Sequence, residues 1–352
     1  MESPFIFIMA GGSGERFWPM SRTRTPKHLL RLLSDRTLLD EAVGRALTVA
    51  PAERVFVLTN HQQIDACRAA VPSLPPSQFV AEPAKRDTAP AAALATGFAM
   101  ARDKDAVCVL LPADAMIHDA QTFERQVRDA VATAGNSEAL LTFSIPPTFA
   151  ATGYGYLKLG DALPDAPQGS KVCKVEQFVE KPDPDTAEEY VSSGNYGWNA
   201  GMFVWRASSF LAECERQVPA LARFLREFPA DDVTAYLAKT FETLPKISVD
   251  YAIMEQARNV LAIRADFDWD DVGTWTALPD HLGADENQNT LKGSCSLLDS
   301  HNNIVVSNSR TVALCGVSDL VVVETDDAVL VCHRNSAQRI KNLQPLLPEQ
   351  VR

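Results

Sequence analysis

The first 150 residues alternate between two spacings of apolar side chains. Short runs rich in β-branched and aromatic residues predict strands at 5–9, 54–59, 78–81, 106–111 and 139–143. Longer stretches with apolar residues three and four positions apart predict helices at 37–50, 61–71, 88–101 and 121–134. Strands that alternate with helices build βαβ units. We therefore expect an α/β, Rossmann-like sheet that is mixed but mostly parallel.

The pattern changes after residue 150 and again near residue 290. Strands are predicted in "GYGYLKLG", "SKVCKVEQFVEKP" and "WNAGMFVWR", and a helical region follows from 207 to about 239. We expect this mixed part to fold over the open edge of the first sheet. From Gly293 onwards, short β-branched runs alternate with turn residues. This predicts a small all-β appendage, either a few solenoid coils or a sheet, and we divide the chain into domains 1–285 and 286–352.

Composition narrows the class of protein. The 352 residues, 46% of them apolar, are enough for a sizeable core. The 33 basic and 45 acidic residues give a net charge of −12, which argues against a nucleic-acid or membrane partner. No basic signal-peptide region opens the chain, and the seven cysteines form no C-x-x-C pair. We expect buried thiols in a soluble, cytoplasmic protein.

The loop after the first predicted strand is rich in glycine and positive charge. Gly11, Gly12 and Gly14 are followed by Arg16 and Lys27. The loop has no Walker signature, and it fails the dinucleotide fingerprint because phenylalanine occupies the third glycine position. Glycines let backbone N–H groups approach phosphates closely, and the arginine and lysine supply charge. The stretch is therefore either a phosphate-binding loop or a glycine-rich turn with solvated basic residues.

Two later motifs place charged side chains at the ends of predicted strands. Asp114 ends "LLPAD" at the edge of the sheet where ligands bind, so it either binds a divalent cation or caps a turn. "FVEKP" ends a strand with Glu180 and Lys181 before Pro182. Successive strand residues face opposite ways. The two side chains therefore serve one site only if the strand stops there, as the proline favours, and otherwise form a solvated strand end.

A third motif, "FDWDDVGTW", brings Asp268, Asp270 and Asp271 close together. Three adjacent carboxylates repel one another unless a cation or water separates them, and we predict that one of them completes a metal site with Asp114. We expect Trp269 and Trp275 to pack rather than stack on a ligand. The six histidines show no metal-ligand spacing and form no evident nucleophile–base pair. Together the motifs favour nucleotidyl or phosphoryl transfer over acyl transfer.

Several motifs also occur in a recognisable order along residues 5 to about 280. They are "MAGGSGERFWPMSR", "PKH", "EPAKRDTAPA", "LLPAD", "TGYGYL", "FVEKP", "WNAGMF", "SVDYAIME" and "DVGTW". In this order the chain resembles the sugar-1-phosphate nucleotidylyltransferases, in particular the guanylyltransferases that act on mannose 1-phosphate. The β-rich tail also resembles the C-terminal segment of that family. The resemblance implies a nucleotidyltransferase fold of the GT-A-like kind with a β-helix-like appendage.

The same resemblance implies a Mg²⁺-dependent reaction in which GTP and α-D-mannose 1-phosphate give GDP-mannose and pyrophosphate. The sugar phosphate would attack the α-phosphorus in line, so that catalysis is mainly positioning and charge neutralisation. The motifs imply catalytic roles for Arg16, Lys27 and Lys181; nucleotide binding by Ala10, Gly11, Gly12, Gly14, Glu82, Arg86, Thr88 and Asp114; sugar binding by Gly155, Glu180, Lys181 and Asn199; and metal binding by Asp114 and Asp271.

Two positions depart from the family pattern. Asp87 stands where the family commonly has asparagine, and Ala115 stands where it commonly has histidine. We expect Asp87 either to alter contacts with the base or to pair with Lys85 or Arg86. The departures leave open another base or another sugar 1-phosphate, such as a heptose or fucose derivative. A catalytically silent paralogue that binds a GDP-sugar is the alternative from a different class.

The resemblance also bears on partners and on further activities. We expect the two small-molecule substrates as partners and, as an alternative to a monomer, a second copy of the chain in a homodimer. The longer bifunctional relatives carry an additional isomerase domain for which this chain has no room. We therefore expect no phosphomannose isomerase activity.

Overall fold

A computed structural model of the chain describes residues 3–164 and 166–352. The strands of this part are β1 (Phe5–Met9), β2 (Val55–Asn60), β3 (Phe79–Glu82), β4 (Val107–Pro112), β5 (Leu140–Ile145), β6 (Gly155–Ala162), β7 (Val172–Glu180), β8 (Tyr196–Arg206), β9 (Val260–Arg264), β10 (Thr290–Lys292), β11 (Cys295–Leu298), β12 (Ile304–Ser307), β13 (Val312–Cys315), β14 (Leu320–Glu324) and β15 (Val329–His333). The α-helices are α1 (Leu38–Val49), α2 (Ile64–Ala70), α3 (Thr88–Met100), α4 (Ala120–Gly135), α5 (Pro184–Ser193), α6 (Ala207–Gln217), α7 (Pro219–Arg226), α8 (Val233–Thr240), α9 (Val249–Ala252) and α10 (Leu278–Leu282). None of these helices is both long and apolar enough to cross a membrane.

Nine of the described strands form one mixed sheet, in the order β3-β2-β1-β4-β8-β5-β9-β7-β6. β1 pairs in parallel with β2 on one side and with β4 on the other, so the strand order reverses at β1. Ligands of open α/β sheets bind beyond the carboxyl ends of the strands at such a reversal. The expected α/β sheet is confirmed, and the loops that follow β1 and β4 lie side by side at this edge.

The strands after residue 150 join this sheet instead of covering its edge, so that prediction is wrong. β8 runs antiparallel between β4 and β5, and β9, β7 and β6 extend the sheet further. The reason lies in the run Met202–Trp205, in which four consecutive apolar side chains are buried. A strand that is apolar on both faces belongs in the interior of a sheet that is covered on both sides.

Helices cover both faces of the sheet and form two apolar cores. α1 and α4 pack against one face, where Val43 and Val127 belong to the same apolar cluster as Ile6 and Ile8 of β1. α3, α6 and α7 pack against the other face, which carries Phe7. All seven cysteines are free, and Cys67, Cys108, Cys173 and Cys214 are buried as expected. The expectation is wrong for the three cysteines of the tail, because Cys295 and Cys332 are half-buried and Cys315 is exposed.

The β-rich tail is a short solenoid, which decides between the two predicted forms. β10, β12 and β14 stack in parallel, and β11 pairs in parallel with β13 on the neighbouring face. β15 closes the stack by pairing antiparallel with β14. The side chain of Asn289 accepts hydrogen bonds from the backbone N–H and the amide of Asn303 one coil further on, both at 3.0 Å. These buried amides tie successive coils together where the chain turns.

A third core joins this solenoid to the loop after β1. Phe17 and Trp275 meet with ring centroids 5.0 Å apart and pack in one cluster with Ile304 and Val321 of the solenoid. The indole N–H of Trp18 donates to the carbonyl of Val351 at 2.8 Å. The tail therefore supports the loop that carries Arg16.

Candidate active site

The glycine loop follows β1 and separates two cavities. A Cβ atom on Gly11 or Gly12 would meet no atom within 4 Å, so both residues border open space. Gly14 has a positive φ of 64°, and a Cβ there would lie 2.2 Å from Cβ of Lys27. Only glycine fits at that position, because a side chain would displace the lysine segment.

Lys27 is the centre of the cavity on one side of this loop. The residue is only 5% exposed, and its Nζ lies 2.9 Å from Oδ2 of Asp114 and donates to the carbonyl of Asp271 at 2.5 Å. Burial opposes the ionisation of Asp114, but the charge and hydrogen bond of Lys27 outweigh it and lower the pKa of Asp114. Burial, partly offset by the charge of Lys27, raises the pKa of Asp271.

The cavity around Lys27 has a volume of about 230 Å³ and is lined by Arg16, Lys27, Asp114, Asp271 and Lys341, among others. We name it the phosphate cavity. Arg16 donates from Nη1 to the carbonyl of Gly273 at 3.1 Å. This bond fixes one edge of the guanidinium and leaves its other N–H groups for a ligand. Cations and carboxylates thus converge on one small space, as sites for phosphate groups and divalent cations require.

The three neighbouring aspartates of "FDWDDVGTW" have separate partners. Asp268 accepts hydrogen bonds from the backbone N–H groups of His118 and Asp119. Asp270 lies 2.8 Å from Nε2 of His281. Of the three, Asp271 alone lines the phosphate cavity with Asp114. The repulsion expected from their closeness in sequence is therefore smaller than predicted, because the three carboxylates point in different directions.

On the other side of the glycine loop lies a second cavity of about 390 Å³, which we name the base pocket. Gly11, Gly12, Glu82, Thr88 and Asp250 are among its lining residues, as are Ala10, Lys85 and Lys246. Burial raises the pKa of Glu82 to about 8. Burial, together with the charge of Glu180, raises the pKa of Asp250 to about 7. The pocket therefore holds two carboxyl groups whose charge the protein itself does not favour.

The loop before α3 shows what the departure at Asp87 does. Its carboxylate accepts a hydrogen bond from the N–H of Thr88 at 2.8 Å and so caps the helix. Within the described residues, Asp87 forms no ion pair with Lys85 or Arg86. Arg86 instead lies 3.9 Å from Glu242 and does not line the base pocket. The hydroxyl of Thr88 accepts from the backbone N–H of Val249 at 2.9 Å.

Three predicted sugar-binding residues meet at the ends of β6 and β7 and in β8. Gly155 pairs with Glu180, and a Cβ on Gly155 would lie 2.5 Å from Oε2 of Glu180 and 3.4 Å from Cβ of Asn199. The glycine therefore makes room for the carboxylate. The amide of Asn199 donates to Asp250 at 3.0 Å, which joins this group, the sugar group, to the base pocket.

Strand β7 ends at Glu180, as Pro182 predicted. Lys181 has a positive φ of 50°. This turn brings Nζ of Lys181 back to within 2.7 Å of Oε1 of Glu180. Both side chains therefore lie on one side. The Lys181 side chain is 57% exposed and that of Glu180 only 10%, so the ion pair is accessible to a ligand from the side of the ammonium.

Strained backbone occurs at three places around these cavities. Asp87, Lys181 and Val272 all have positive φ, at 69°, 50° and 46°. A β-branched residue such as valine rarely adopts this conformation. Val272 follows Asp271 directly and is fully buried, so packing holds it there. Strain of this kind costs about 1–3 kcal/mol and is typical of functional sites.

The structure thus brings together most of the residues singled out in the sequence. Arg16, Lys27, Asp114 and Asp271 meet in the phosphate cavity. Ala10, Gly11, Gly12, Glu82 and Thr88 meet in the base pocket. Arg86, which was predicted to bind the nucleotide, lines neither cavity. Among the charged residues that line the two cavities, the sequence did not single out Glu15, Lys246, Asp250 or Lys341, and it named Lys85 only as a partner for Asp87. Asp250 lies in the motif "SVDYAIME", which pointed to its neighbourhood, whereas no local signal marked Lys341.

Comparison with known proteins identifies the class. A family model described as nucleotidyl transferase matches residues 6–288. A second model, described as the MannoseP isomerase/GMP-like beta-helix domain, matches residues 294–344. The chain belongs to the nucleotidyl transferase family and carries the β-helix domain in its tail. The fold and the resemblance expected from the motifs are confirmed.

Individual relatives narrow the class further. The chain is 36% identical to the mannose-1-phosphate guanylyltransferase RfbM of Salmonella typhimurium, over 96% of this chain and 71% of that protein. It is 36% identical to the alginate biosynthesis protein AlgA of Pseudomonas syringae, over 98% of this chain and 72% of that protein. A solved structure titled mannose-1-phosphate geranyltransferase, from Thermus thermophilus, superposes with a TM-score of 0.88 at 32% identity and covers 98% of this chain and 99% of that one.

Proposed function

We propose that the chain transfers GMP from GTP to α-D-mannose 1-phosphate, giving GDP-mannose and pyrophosphate. The observation that carries the proposal is the meeting of three groups at one sheet edge: the base pocket, the phosphate cavity and the sugar group. A nucleotide sugar presents a base, phosphates and a sugar to its enzyme in one molecule. Similarity over nearly the whole chain to a protein named mannose-1-phosphate guanylyltransferase supports the choice of substrates.

The reaction makes one bond and breaks one. An oxygen of the sugar phosphate bonds to the α-phosphorus of GTP, and the bond from that phosphorus to the oxygen of the departing pyrophosphate breaks. The attacking phosphate is already ionised at neutral pH, so no general base is needed. Catalysis then depends on alignment and on neutralising charge at the phosphates.

Arg16 and Lys27 are the cations for this task. The guanidinium of Arg16 presents paired N–H donors to phosphate oxygens. Lys27 is a point charge whose position is fixed by its contacts with Asp114 and with the carbonyl of Asp271. A charge that is already in place needs no rearrangement when negative charge collects on the pyrophosphate.

Glu82 is the group we assign to the choice of base. Guanine carries two neighbouring donors, N1–H and the N2 amino group, and a carboxylate accepts from both at once. Adenine and uracil lack that pair of donors. The burial that raises the pKa of Glu82 also removes competing water, so that a base with only one suitable donor leaves a carboxylate oxygen without a partner.

The sugar group binds mannose 1-phosphate in this proposal. Glu180 and Asn199 accept and donate hydrogen bonds to hydroxyls, and the absent side chain of Gly155 lets the sugar ring approach the backbone. Lys181 is the exposed cation of the group and binds the phosphate of the sugar. Its contact with Glu180 at 2.7 Å keeps it near the ring.

Asp114 and Asp271 fit a Mg²⁺ ion. Both residues line the phosphate cavity, where the ammonium of Lys27 contacts the carboxylate of Asp114 and the backbone carbonyl of Asp271. Mg²⁺ is usually held by one or two carboxylates together with substrate phosphates and water. Within the described residues no cluster of three or more acidic, histidine or cysteine side chains holds a metal alone, so phosphates complete the set. When bound, Mg²⁺ supplies charge neutralisation at the phosphate oxygens.

The proposal includes a cytoplasmic location, a division of the chain at residues 285 and 286, and a homodimer. Val329 and Val331, two positions apart on the edge strand β15 of the tail, are 55% and 61% exposed. Apolar side chains in such a position support a contact between two copies of the chain.

A rate panel tests the proposed function. Purified protein with MgCl₂ receives each of four nucleoside triphosphates with each of several sugar 1-phosphates, and pyrophosphate release is measured. We expect the highest kcat/KM for GTP with mannose 1-phosphate. A clear preference for a heptose or fucose 1-phosphate would replace the sugar in the proposal. Release with none of the pairs would contradict enzymatic activity and favour a silent paralogue that binds a GDP-sugar.

A further inference from the structure

We propose that the tail supplies a third cation to the phosphate cavity, namely Lys341, and that its ammonium binds the β- and γ-phosphates of GTP and the pyrophosphate that leaves. This inference rests on the function proposed above, because it assigns the residue to that same site. Lys341 lies in a 3-10 helix, Arg334–Leu346, that follows the last strand of the solenoid. It lines the cavity with Arg16, Lys27, Asp114 and Asp271.

The geometry of this helix explains why Lys341 faces the cavity. In a 3-10 helix, residues three positions apart lie on the same face. Ala337 and Ile340 are both 2% exposed, and with Leu343 they form the face that packs into the third core. Gln338 and Lys341 form the next face. Gln338 borders a neighbouring cavity, and Lys341 borders the phosphate cavity.

The 3-10 helix that carries Lys341 packs against the loop after β1. Ala337 and Ile340 belong to the same apolar cluster as Phe17, Trp18 and Trp275. Phe17 follows Arg16 in the chain, so the packing that positions the helix also positions the arginine. The backbone around Lys341 is therefore fixed relative to the cavity, while its long side chain keeps the freedom to follow a ligand.

The charges of the cavity leave Lys341 available. The ammonium of Lys27 is engaged by Asp114 and by the carbonyl of Asp271, and Arg16 donates to the carbonyl of Gly273. Within the described residues, Lys341 has no hydrogen bond and no ion pair, and it is exposed. A triphosphate brings several negative charges into this space, and an unpaired ammonium at its rim is the group that gains most from them.

Direct binding measurements test the assignment without requiring turnover. Titration calorimetry with pyrophosphate, and separately with GTP, both with MgCl₂, compares the wild-type protein with Lys341→Ala. We expect binding of each to weaken roughly tenfold, as loss of one charge-assisted hydrogen bond predicts. Lys341→Arg should stay within about threefold of the wild type. In steady-state kinetics the KM for GTP should rise while that for the sugar phosphate is unchanged.

The matched control is Arg339→Ala, which removes an exposed cation from the same helix on a face that does not line the cavity. Pyrophosphate binding unchanged in Lys341→Ala, or weakened equally by both alanine variants, would overturn the assignment. Failure of the proposed function looks different: the wild type would bind pyrophosphate and respond to Lys341→Ala, yet release no pyrophosphate from GTP with any sugar phosphate.

Discussion

The phosphate cavity and the base pocket lie on either side of the glycine loop, and they differ in how far a cation offsets the burial of their carboxyl groups. In the phosphate cavity, Lys27 lies 2.9 Å from Asp114 and lowers its pKa. There the charge of Lys27 also partly offsets the burial that raises the pKa of Asp271. In the base pocket, burial raises the pKa of Glu82 to about 8 and that of Asp250 to about 7. Within the described residues, neither Glu82 nor Asp250 has a cationic side chain within ion-pair distance.

The difference fits the groups that each cavity binds in the proposed reaction. Phosphates and a metal ion are charged, so their cavity needs fixed charges of both signs. A base is neutral and is recognised by hydrogen bonds, so its pocket needs acceptors in a dry environment. A carboxyl group that is protonated when alone and ionised when it meets two donors discriminates strongly between bases, because the wrong base leaves its desolvation uncompensated.

Asp114→Asn should have the largest effect, since it removes the charge partner of Lys27 and one carboxylate of the proposed metal site. We expect pyrophosphate release to fall by about 10³-fold. Asp119→Asn is the matched control, because asparagine still caps α4 there. Loss of a buried ion-pair partner also destabilises, so a thermal melt must show that the variant is folded. Turnover near that of the wild type would remove Asp114 from the chemistry.

Glu82→Gln should change selectivity more than rate. We expect the preference for GTP over ATP, as the ratio of kcat/KM values, to fall about 10- to 100-fold, because glutamine cannot accept from both donors of guanine. Glu53→Gln, at an exposed position, is the control. An unchanged preference would exclude Glu82 from base recognition.

The same variant tests the raised pKa. Pairing with guanine ionises Glu82, so GTP binding at pH 7 should release a proton, and affinity should rise with pH up to about 8. Lys85, Asp87, Lys246 and Asp250 share the pocket, and the comparison with Glu82→Gln separates their contributions. Calorimetry in two buffers of different ionisation enthalpy measures the released proton. The release should be lost in Glu82→Gln.

Asp250→Asn should have the smallest effect of these substitutions, and we expect that effect on the thermal stability of the protein. The folded-state pKa of Asp250 is raised to about 7, whereas the unfolded-state value is near 4. The contribution of Asp250 to stability is therefore complete below about pH 4, where the carboxyl is protonated in both states. It is lost as pH rises towards 7, because the unfolded chain ionises more readily. Asparagine carries no charge and avoids that loss. We expect the gain in Tm over the wild type to be roughly 2–4 °C larger at pH 8 than at pH 5. A gain that does not depend on pH, or that equals the gain of Asp231→Asn at an exposed site, would contradict the shift.

Local pattern was enough for the elements of the first half of the chain. The strand expected at 54–59 is Val55–Asn60, and the helix expected at 88–101 is Thr88–Met100. The sequence pattern does not predict α5, because Pro182 indicates the end of a strand there. Two residues further on, Pro184 is the first residue of a helix capped by Asp183. The place of β8 was wrong because pairing between distant strands leaves little trace in local sequence.

The residues of the candidate site likewise include some that local sequence locates and some that it does not. Motifs that follow a strand directly, such as the glycine loop and "LLPAD", were located correctly at the sheet edge because chain direction fixes where they lie. The separate orientations of Asp268, Asp270 and Asp271 depend on backbone angles that sequence spacing does not reveal. The position of Lys341 at the cavity depends on the packing of its helix against Phe17 and Trp275, which are distant in sequence. No motif near Lys341 predicts that position.

The hydrogen bond from Trp18 to the carbonyl of Val351 has a consequence for how the protein is made. Chains emerge from the ribosome in sequence order, and their early segments begin to fold first. Phe17 and Trp18 are among the first residues to emerge, yet part of the apolar cluster that buries them, including Ile304 and Val321, comes from the solenoid. The loop that carries Arg16 therefore takes its final form only after residue 351 has been synthesised. Until then the side of this aromatic cluster that packs against the solenoid has no partner.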